Sequence, residues 1–386
     1  MKVMENEDYL DKLGVTKIIN AAGTFTALTA SIMPPSVQAA VASAAKYPVR
    51  LAELQKAAGE YIAKRLRCEA AMVTSGAAAS ITLGSTACMA VANRLGTHRI
   101  PADRSGLKNE AIIQKEHRYE YDYAFRTCGI QFVEVTTLED YERAFTERTV
   151  MTVFFNAAER GEIPSEEWVR IAHRQAVPCL MDAAADVPPT SNLWNYTGMG
   201  FDLVAFSGGK GLRGPQNAGL LLGRKQLIEA AAANNNPISD SIGRGMKVAK
   251  EQIVGMVAAV DWILEQSDSA MEAEYRARGA TIAGALERIP SLQSSIVLPT
   301  TAANAVPHLL LRYDRHRVKI SPMEVACELR RGTPSIELNP ATGKNNCEGL
   351  PTTESTIVVG VWMLQPGEDL IVAGRLREVL GKAAGL

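Results

Sequence analysis

Short apolar runs separated by helical patterns fill the middle of this chain, and no other feature restricts its fold as much. Ala111-Ile112-Ile113 is the first, and 130–135, 151–155, 178–181, 203–206 and 219–222 come after it. A polar stretch opening at Pro164-Ser165-Glu166-Glu167 reads as a helix between two of them. Strands that are continuously apolar rather than alternating are buried on both faces. Joined through helices, they predict an α/β sheet that is mostly parallel.

Past about residue 245 the pattern changes. Ile253, Val257, Val260 and Leu264 recur at helical spacing and predict an amphipathic helix over 246–265. A more charged helix is predicted over 268–288, a strand at 308–311 and a helix over 322–330. An extended segment over 356–363 and a closing helix over 368–382 complete the chain. This part reads as a smaller α+β domain. The predicted division is an N-terminal segment (1–50), a large domain (51–245), and an interdomain helix with a small C-terminal domain (246–386).

Charge and cysteine content narrow the function classes. The chain carries 41 Lys+Arg against 42 Asp+Glu, a net charge of −1, which argues against a nucleic-acid binder and a polybasic membrane anchor. At 47% hydrophobic residues it is too apolar to be disordered. Its most apolar stretch, 70–92, carries Ser, Thr and Gly throughout and reads as a buried helix rather than a membrane span. Glu5, Glu7 and Asp8 are the wrong chemistry for a signal peptide. The six cysteines stand singly, with no C-x-x-C, so a reducing cytoplasm and no metal site are expected.

The most informative stretch comes directly after the apolar run 203–206. It reads Ser207-Gly208-Gly209-Lys210-Gly211-Leu212-Arg213-Gly214. Glycines let a ligand approach the backbone, and a lysine in a tight site can have its pKa lowered enough to act as nucleophile and base. An ordinary lysine on a surface turn is the competing reading. Two other motifs overlap this turn. Gly209-x-Gly211-x-x-Gly214 matches a dinucleotide fingerprint, but the acidic residue expected about 20 positions on is missing. Gly208-Gly209-Lys210 resembles the end of a P-loop, but Gly211 stands where Ser or Thr is required.

Two upstream features belong with the lysine. Asp182 closes the run 178–181, at the carboxyl end of a predicted parallel strand, where α/β proteins place ligands. A carboxylate buried there needs a cationic partner. Ser75-Gly76-Ala77 opens a long Ala-rich helix, and free N–H groups at such a start suit a phosphate. A plain N-cap by Ser75 explains the same residues. An anion-binding helix start, then a strand-end Asp, then a strand-end Lys in a glycine turn is the layout of a pyridoxal-phosphate enzyme.

The motifs also resemble a known family. Ser207-Gly208-Gly209-Lys210-Gly211 is similar to the lysine motif of fold type I pyridoxal-phosphate enzymes related to selenocysteine synthase. Ile18-Ile19-Asn20-Ala21-Ala22-Gly23-Thr24, Thr74-Ser75-Gly76-Ala77, Asp182-Ala183-Ala184-Ala185 and Gly245-Met246-Lys247-Val248-Ala249-Lys250-Glu251 are similar to further motifs of that family, in the same order. The resemblance implies a fold type I architecture, with a large mostly parallel α/β domain and a small C-terminal α+β domain. It implies pyridoxal 5′-phosphate as cofactor and a homodimer or larger assembly. Only 17 residues precede Ile18 and the chain is not basic, so a tRNA partner is not expected. The shorter branch of the family, which resembles D-glucosaminate-6-phosphate ammonia-lyase, removes water and then ammonia from a 2-amino-3-hydroxy acid.

The resemblance also implies residue roles. Lys210 would carry the cofactor and move the proton at the substrate Cα, and Asp182 would hold the pyridine nitrogen protonated. Ser75, Gly76, Ala77 and Ser207 would bind the phosphate, with a turn cap as the other reading of Ser207. His117 would stack on the ring, or is a surface histidine. Asn20 would reach the substrate, and Arg244 with Lys247 would bind a substrate anion, or are solvated charges. Arg331 would pair with the substrate carboxylate, with Arg330 as the competing choice. Racemisation, aldol cleavage and transfer onto a carrier remain open as reactions, as does a nucleotide-dependent dehydrogenase.

Overall fold

The computed structural model describes residues 8–96, 98–155, 161–299, 304, 306–347 and 349–386. The chain forms two compact units. The larger contains Thr29–Asp268, and the smaller contains Met1–Leu28, Ser269–Thr300 and Val306–Leu386.

Strand β1 (Ile18–Ala21) belongs to the smaller unit. The larger unit holds β2 (Ala70–Thr74), β3 (Glu110–Gln114), β4 (Gln131–Val135), β5 (Thr149–Phe155), β6 (Cys179–Asp182), β7 (Leu203–Ser207) and β8 (Gly219–Gly223). The smaller unit resumes with β9 (Gln293–Val297), β10 (His308–Arg312), β11 (Ser335–Leu338) and β12 (Thr356–Gly360). All six apolar runs expected to be strands in the middle of the chain are strands.

The large sheet has the order β2-β8-β7-β6-β5-β3-β4. Its strands pair in parallel from β7 through β6, β5 and β3 to β4, and β8 is antiparallel to both β7 and β2. Strands β6 and β8 are buried at every position, as a sheet covered on both faces requires. The helix Ala77–Ala92 is buried from Ala79 to Ala90, so the most apolar stretch of the sequence is a core strand followed by a core helix. Gly84 lets that helix press on the sheet, since a Cβ there would lie 2.8 Å from Leu180 Cδ1. Among the described residues, no helix is long and apolar enough to cross a membrane.

The structure divides the chain differently from the predicted 1–50, 51–245 and 246–386. The helix Lys250–Leu264 stays with the larger unit because it packs on the helices Pro35–Ala44 and Leu51–Leu66. Gly255 permits that approach, since a Cβ would stand 2.6 Å from Pro215 Cγ and 2.8 Å from Val41 Cγ2. This helix also begins four residues later than expected, where the Gln252 side chain accepts from the Ala249 N–H at 2.7 Å. The N-terminal segment is itself split. Strand β1 pairs in parallel with β11, Ile18 opposite Ser335, and so joins the C-terminal part of the chain.

In the smaller unit β12, β10 and β9 form an antiparallel sheet. Leu309, Leu311, Ile357 and Val359 pack there with Val372, Leu376 and Leu380 of the closing helix Glu368–Ala384. This is the expected α+β arrangement.

Candidate active site

Register brings three chain segments to one edge of the large sheet. Gly219, the first residue of β8, pairs with Thr74 at the end of β2 and with Ser207 at the end of β7. Asp182 ends β6 opposite Ala205 of β7. Each parallel strand therefore delivers its carboxyl end, and the turn beyond it, to the same rim.

After β2 the chain turns into the helix Ala77–Ala92 through Gly76, which is the N-cap and has φ +91°. No side chain caps this helix, so Ser75 does not perform the capping role considered from sequence. Thr74 Oγ1 and Ser80 Oγ are 2.7 Å apart instead, and the Thr74 hydroxyl also lies 3.0 Å from the Gly76 carbonyl. Ser75, Gly76 and Ala77 are half-buried at a helix start with its positive dipole end outward, as an anion site needs.

The lysine turn spans residues 208–218 between β7 and β8. The Gly208 N–H donates to the Ala218 carbonyl at 2.8 Å and the Gly214 N–H to the Gly208 carbonyl at 2.7 Å. The glycines serve the turn's own packing rather than a ligand's approach. A Cβ on Gly208 would lie 2.7 Å from the Ala218 oxygen, and one on Gly211 would lie 2.0 Å from the Val187 oxygen. The left-handed backbone falls to Arg213, at φ +54°, rather than to a glycine. The Ser31 hydroxyl donates to the Gly209 carbonyl at 2.6 Å and braces the turn. Because β7 leads to an antiparallel strand and not to a helix, Gly209–Gly214 is not a dinucleotide-binding turn.

Lys210 and Asp182 act on each other electrostatically. Burial pulls the Lys210 ammonium below its ordinary pKa, while Asp182 and, more weakly, Asp186 pull it back up. Burial pushes Asp182 up to about 6, against the Ala184 N–H and the charge of Lys210. The Ala184 N–H donates to Asp182 Oδ1 at 3.0 Å and the Tyr119 hydroxyl donates to Oδ2. Asp186, 1% exposed, accepts from the Tyr196 hydroxyl at 3.0 Å. Ser207 ends its strand half-buried, with its N–H donated to the Ala184 carbonyl at 3.3 Å.

The other expected site residues divide. His117 is 1% exposed, stands edge-on to Phe154 at 4.5 Å, and accepts the Phe155 N–H on Nδ1 at 3.2 Å. It is a core histidine, which departs from both the stacking and the surface reading. Arg244 and Lys247 are exposed and line one cleft of about 330 Å³ with Val49, Asn236 and Lys250. None of Ser75, Asp182, Ser207 and Lys210 lines this cleft. In the smaller unit, Asn20 closes its own turn, accepting from the Ala22 and Gly23 N–H groups at 3.0 Å and donating to the Gly23 carbonyl. Arg330 is bidentate to Glu337 at 2.8 Å, whereas Arg331 is exposed at the end of the helix Pro322–Arg331.

Sequence reasoning missed Tyr119 and Asp186. The only available signals were proximity in sequence, two residues after His117 and four after Asp182. Among the described residues, one cluster has metal-binding side chains, His173, Cys179 and Asp202. Asp202 already accepts from His173 at 2.9 Å, from the Cys179 N–H at 2.8 Å and from Arg224 at 3.2 Å, and burial pushes the Cys179 thiol up to about 12. It is a hydrogen-bonded brace at the start of β6.

Comparison with known proteins places the chain by family and fold. The sequence profile of L-seryl-tRNA selenium transferase matches residues 18–273. A 5′-C-glycyluridine monooxygenase-decarboxylase from a Streptomyces species is 31% identical over 84% of this chain and 82% of its own. A D-glucosaminate-6-phosphate ammonia lyase from Salmonella typhimurium is 28% identical over 97% of this chain and 98% of its own. The solved structure of a D-glucosaminate-6-phosphate ammonia-lyase superposes with a TM-score of 0.82 at 26% identity, covering 98% of this chain and 100% of that one. A serine palmitoyltransferase from Sphingomonas wittichii shares the fold, with a TM-score of 0.56 at 14% identity over 95% of this chain and 88% of its own. The architecture is that of fold type I.

Proposed function

The chain belongs to the L-seryl-tRNA selenium transferase family, and from that premise we propose that it is a pyridoxal-phosphate-dependent lyase. Its substrate in this reading is a small 2-amino-3-hydroxy acid such as D-glucosaminate 6-phosphate, which it converts to a 2-keto-3-deoxy acid. The observation that carries the reading is the opposition of the buried Asp182 carboxylate and the half-buried Lys210 at the carboxyl rim of the sheet.

The residues present fit the cofactor. The uncapped helix start at Ser75, Gly76 and Ala77, together with Ser207, would hold its phosphate. Asp182, buried and opposed to a cation, would hold the pyridine nitrogen in its protonated form. Bound there, the cofactor supplies an electron sink for the negative charge that develops at the substrate Cα.

The chain's own groups supply the rest. Desolvation leaves a larger share of Lys210 as the neutral amine, so Nζ can take the Cα proton. Loss of the β-hydroxyl as water, followed by uptake of one water and release of ammonia, balances the reaction to keto acid plus ammonia. Arg244 and Lys247, on the cleft of the larger unit, would bind a substrate phosphate. Arg331, left free of Glu337 by Arg330, would bind the carboxylate. A homodimer or larger assembly, without nucleic acid or membrane, completes the reading.

The test is direct. Purified protein with added pyridoxal 5′-phosphate should absorb in the visible, and borohydride should fix the cofactor to the peptide containing Lys210. Ammonia and 2-keto acid should then form in equal amounts from D-glucosaminate 6-phosphate. A protein that stays colourless ends the proposal. Because one relative is named a monooxygenase-decarboxylase, oxygen uptake is followed in parallel. Oxygen uptake without ammonia release would replace elimination by an oxidative reaction on the same scaffold.

A further inference from the structure

We propose that Tyr119 is the positioning residue that orients the Asp182 carboxylate for the ring nitrogen of the cofactor. This rests on the pyridoxal-phosphate reading of the site and adds a residue that neither motif nor resemblance singled out. Asp182 has one donor on each oxygen, the Ala184 N–H on Oδ1 and the Tyr119 hydroxyl on Oδ2. Two donors on opposite oxygens fix the plane of the carboxylate. Each oxygen keeps a second lone pair, so a ring N–H can still be accepted.

A phenol is suited to this task. It donates a hydrogen bond without adding a charge, so it does not displace Lys210 as the opposing cation. Its own position is fixed by packing. The Tyr119 ring stacks on Phe155 at 4.1 Å and 17°, and Phe155 pairs with Asp182 across β5 and β6. Tyr121 flanks it at 5.5 Å. The strand that neighbours the carboxylate therefore also holds the side chain that orients it. His117 does not compete for this role, because it is buried against Phe154 with Nδ1 occupied by the Phe155 N–H.

Lys210 acts on Asp182 from the lysine turn, and Asp186 acts on Lys210 from the segment after β6. Arg118, next to Tyr119 in sequence, is engaged by Asp122 and Glu134. Removing the Tyr119 hydroxyl leaves the carboxylate with one donor fewer, and its protonation moves to higher pH.

The test compares wild type, Tyr119→Phe, Asp182→Asn and the double variant. Each is titrated with pyridoxal 5′-phosphate from pH 5.5 to 8.5, recording the dissociation constant and the bound spectrum, after circular-dichroism melts establish that it is folded. Phenylalanine keeps the stack on Phe155 and deletes only the donor. Tyr119→Phe should weaken cofactor binding roughly tenfold at pH 6.5 and less at pH 8.5. In the Asp182→Asn background the same replacement should change nothing, because no carboxylate remains to orient. Equal affinity and spectrum for wild type and Tyr119→Phe at every pH overturns the proposal. An equal loss in both backgrounds also overturns it, since that is the mark of packing alone. A wild type that binds no cofactor overturns the functional reading itself, a result distinct from either.

Discussion

Gly219 lies against Gly76, so closely that a Cβ on Gly219 would stand 2.5 Å from the Gly76 carbonyl carbon and 2.8 Å from the Ala77 nitrogen. One strand start thus sets the height of one helix start. Gly219→Ala should push the first turn of Ala77–Ala92 off the rim. We expect a stability loss of about 1–3 kcal/mol from overpacking, read as a lower melting temperature of the apoprotein. Affinity for pyridoxal 5′-phosphate should fall as well, because the N–H groups proposed to face the phosphate move. A variant with unchanged melting temperature and unchanged cofactor affinity would show that the helix start is not fixed from β8.

Lys210→Ala deletes the amine and leaves the rest of the rim. Turnover should fall by on the order of 10³-fold or more, the scale associated with a lost acid–base group. Cofactor should still associate, but borohydride should no longer fix it to the protein. Mass spectrometry after reduction reads the outcome, and a labelled peptide other than the one spanning the 208–218 turn would move the catalytic assignment elsewhere.

Asp182 ties folding to pH. Its folded pKa is pushed up to about 6 from 3.8, so folding takes up a proton between about pH 4 and pH 6. The stability associated with the protonated form is complete below the lower value and is lost as pH rises through the upper one. Asp182→Asn has no proton to exchange there. The unfolding free energy of the variant relative to wild-type apoprotein should therefore rise by about 2 kcal/mol from pH 4 to pH 7. Denaturant titrations at the two pH values measure it, and a constant difference would mean that the carboxylate is not desolvated.

The cationic cleft and the C-terminal arginines separate by kinetics. Arg244→Ala should raise KM for a phosphorylated substrate roughly tenfold and leave cofactor affinity unchanged. Arg331→Ala should raise KM for phosphorylated and unphosphorylated acids alike. Arg330→Ala removes a partly exposed pair with Glu337 and should cost about 1 kcal/mol of stability with no kinetic change. A kinetic defect in Arg330→Ala without one in Arg331→Ala would exchange their roles.

Strands β5 to β8 were readable because they are nearly continuous apolar runs. Strands β1 and β11 were not readable. They pair with each other across more than 300 residues of sequence, and neither Ile18–Ala21 nor Ser335–Leu338 has an apolar run to mark it. The domain boundary was misplaced because an amphipathic helix shows that one face is buried, not against what. At the rim, Lys210, Asp182 and the Ser75–Ala77 turn were readable because each ends or succeeds a strand. Tyr119 was not, because its contact with Asp182 crosses from the segment after β3. His117 was misread because a histidine near a strand end looks the same whether its ring faces a ligand or a phenylalanine.

The antiparallel strand β8 has an architectural result of its own. The parallel neighbours β3 and β4, β5 and β6, and β6 and β7 are joined through helices, whose lengths and faces are free to vary. Lys210 instead rides on a hairpin, whose two stems zip from Leu203 opposite Gly223 to Ser207 opposite Gly219. A hairpin transmits none of the sliding that packed helices allow. Substitutions that shift the covering layers can therefore accumulate while the anchorage of Lys210 stays in register with the strand next to it.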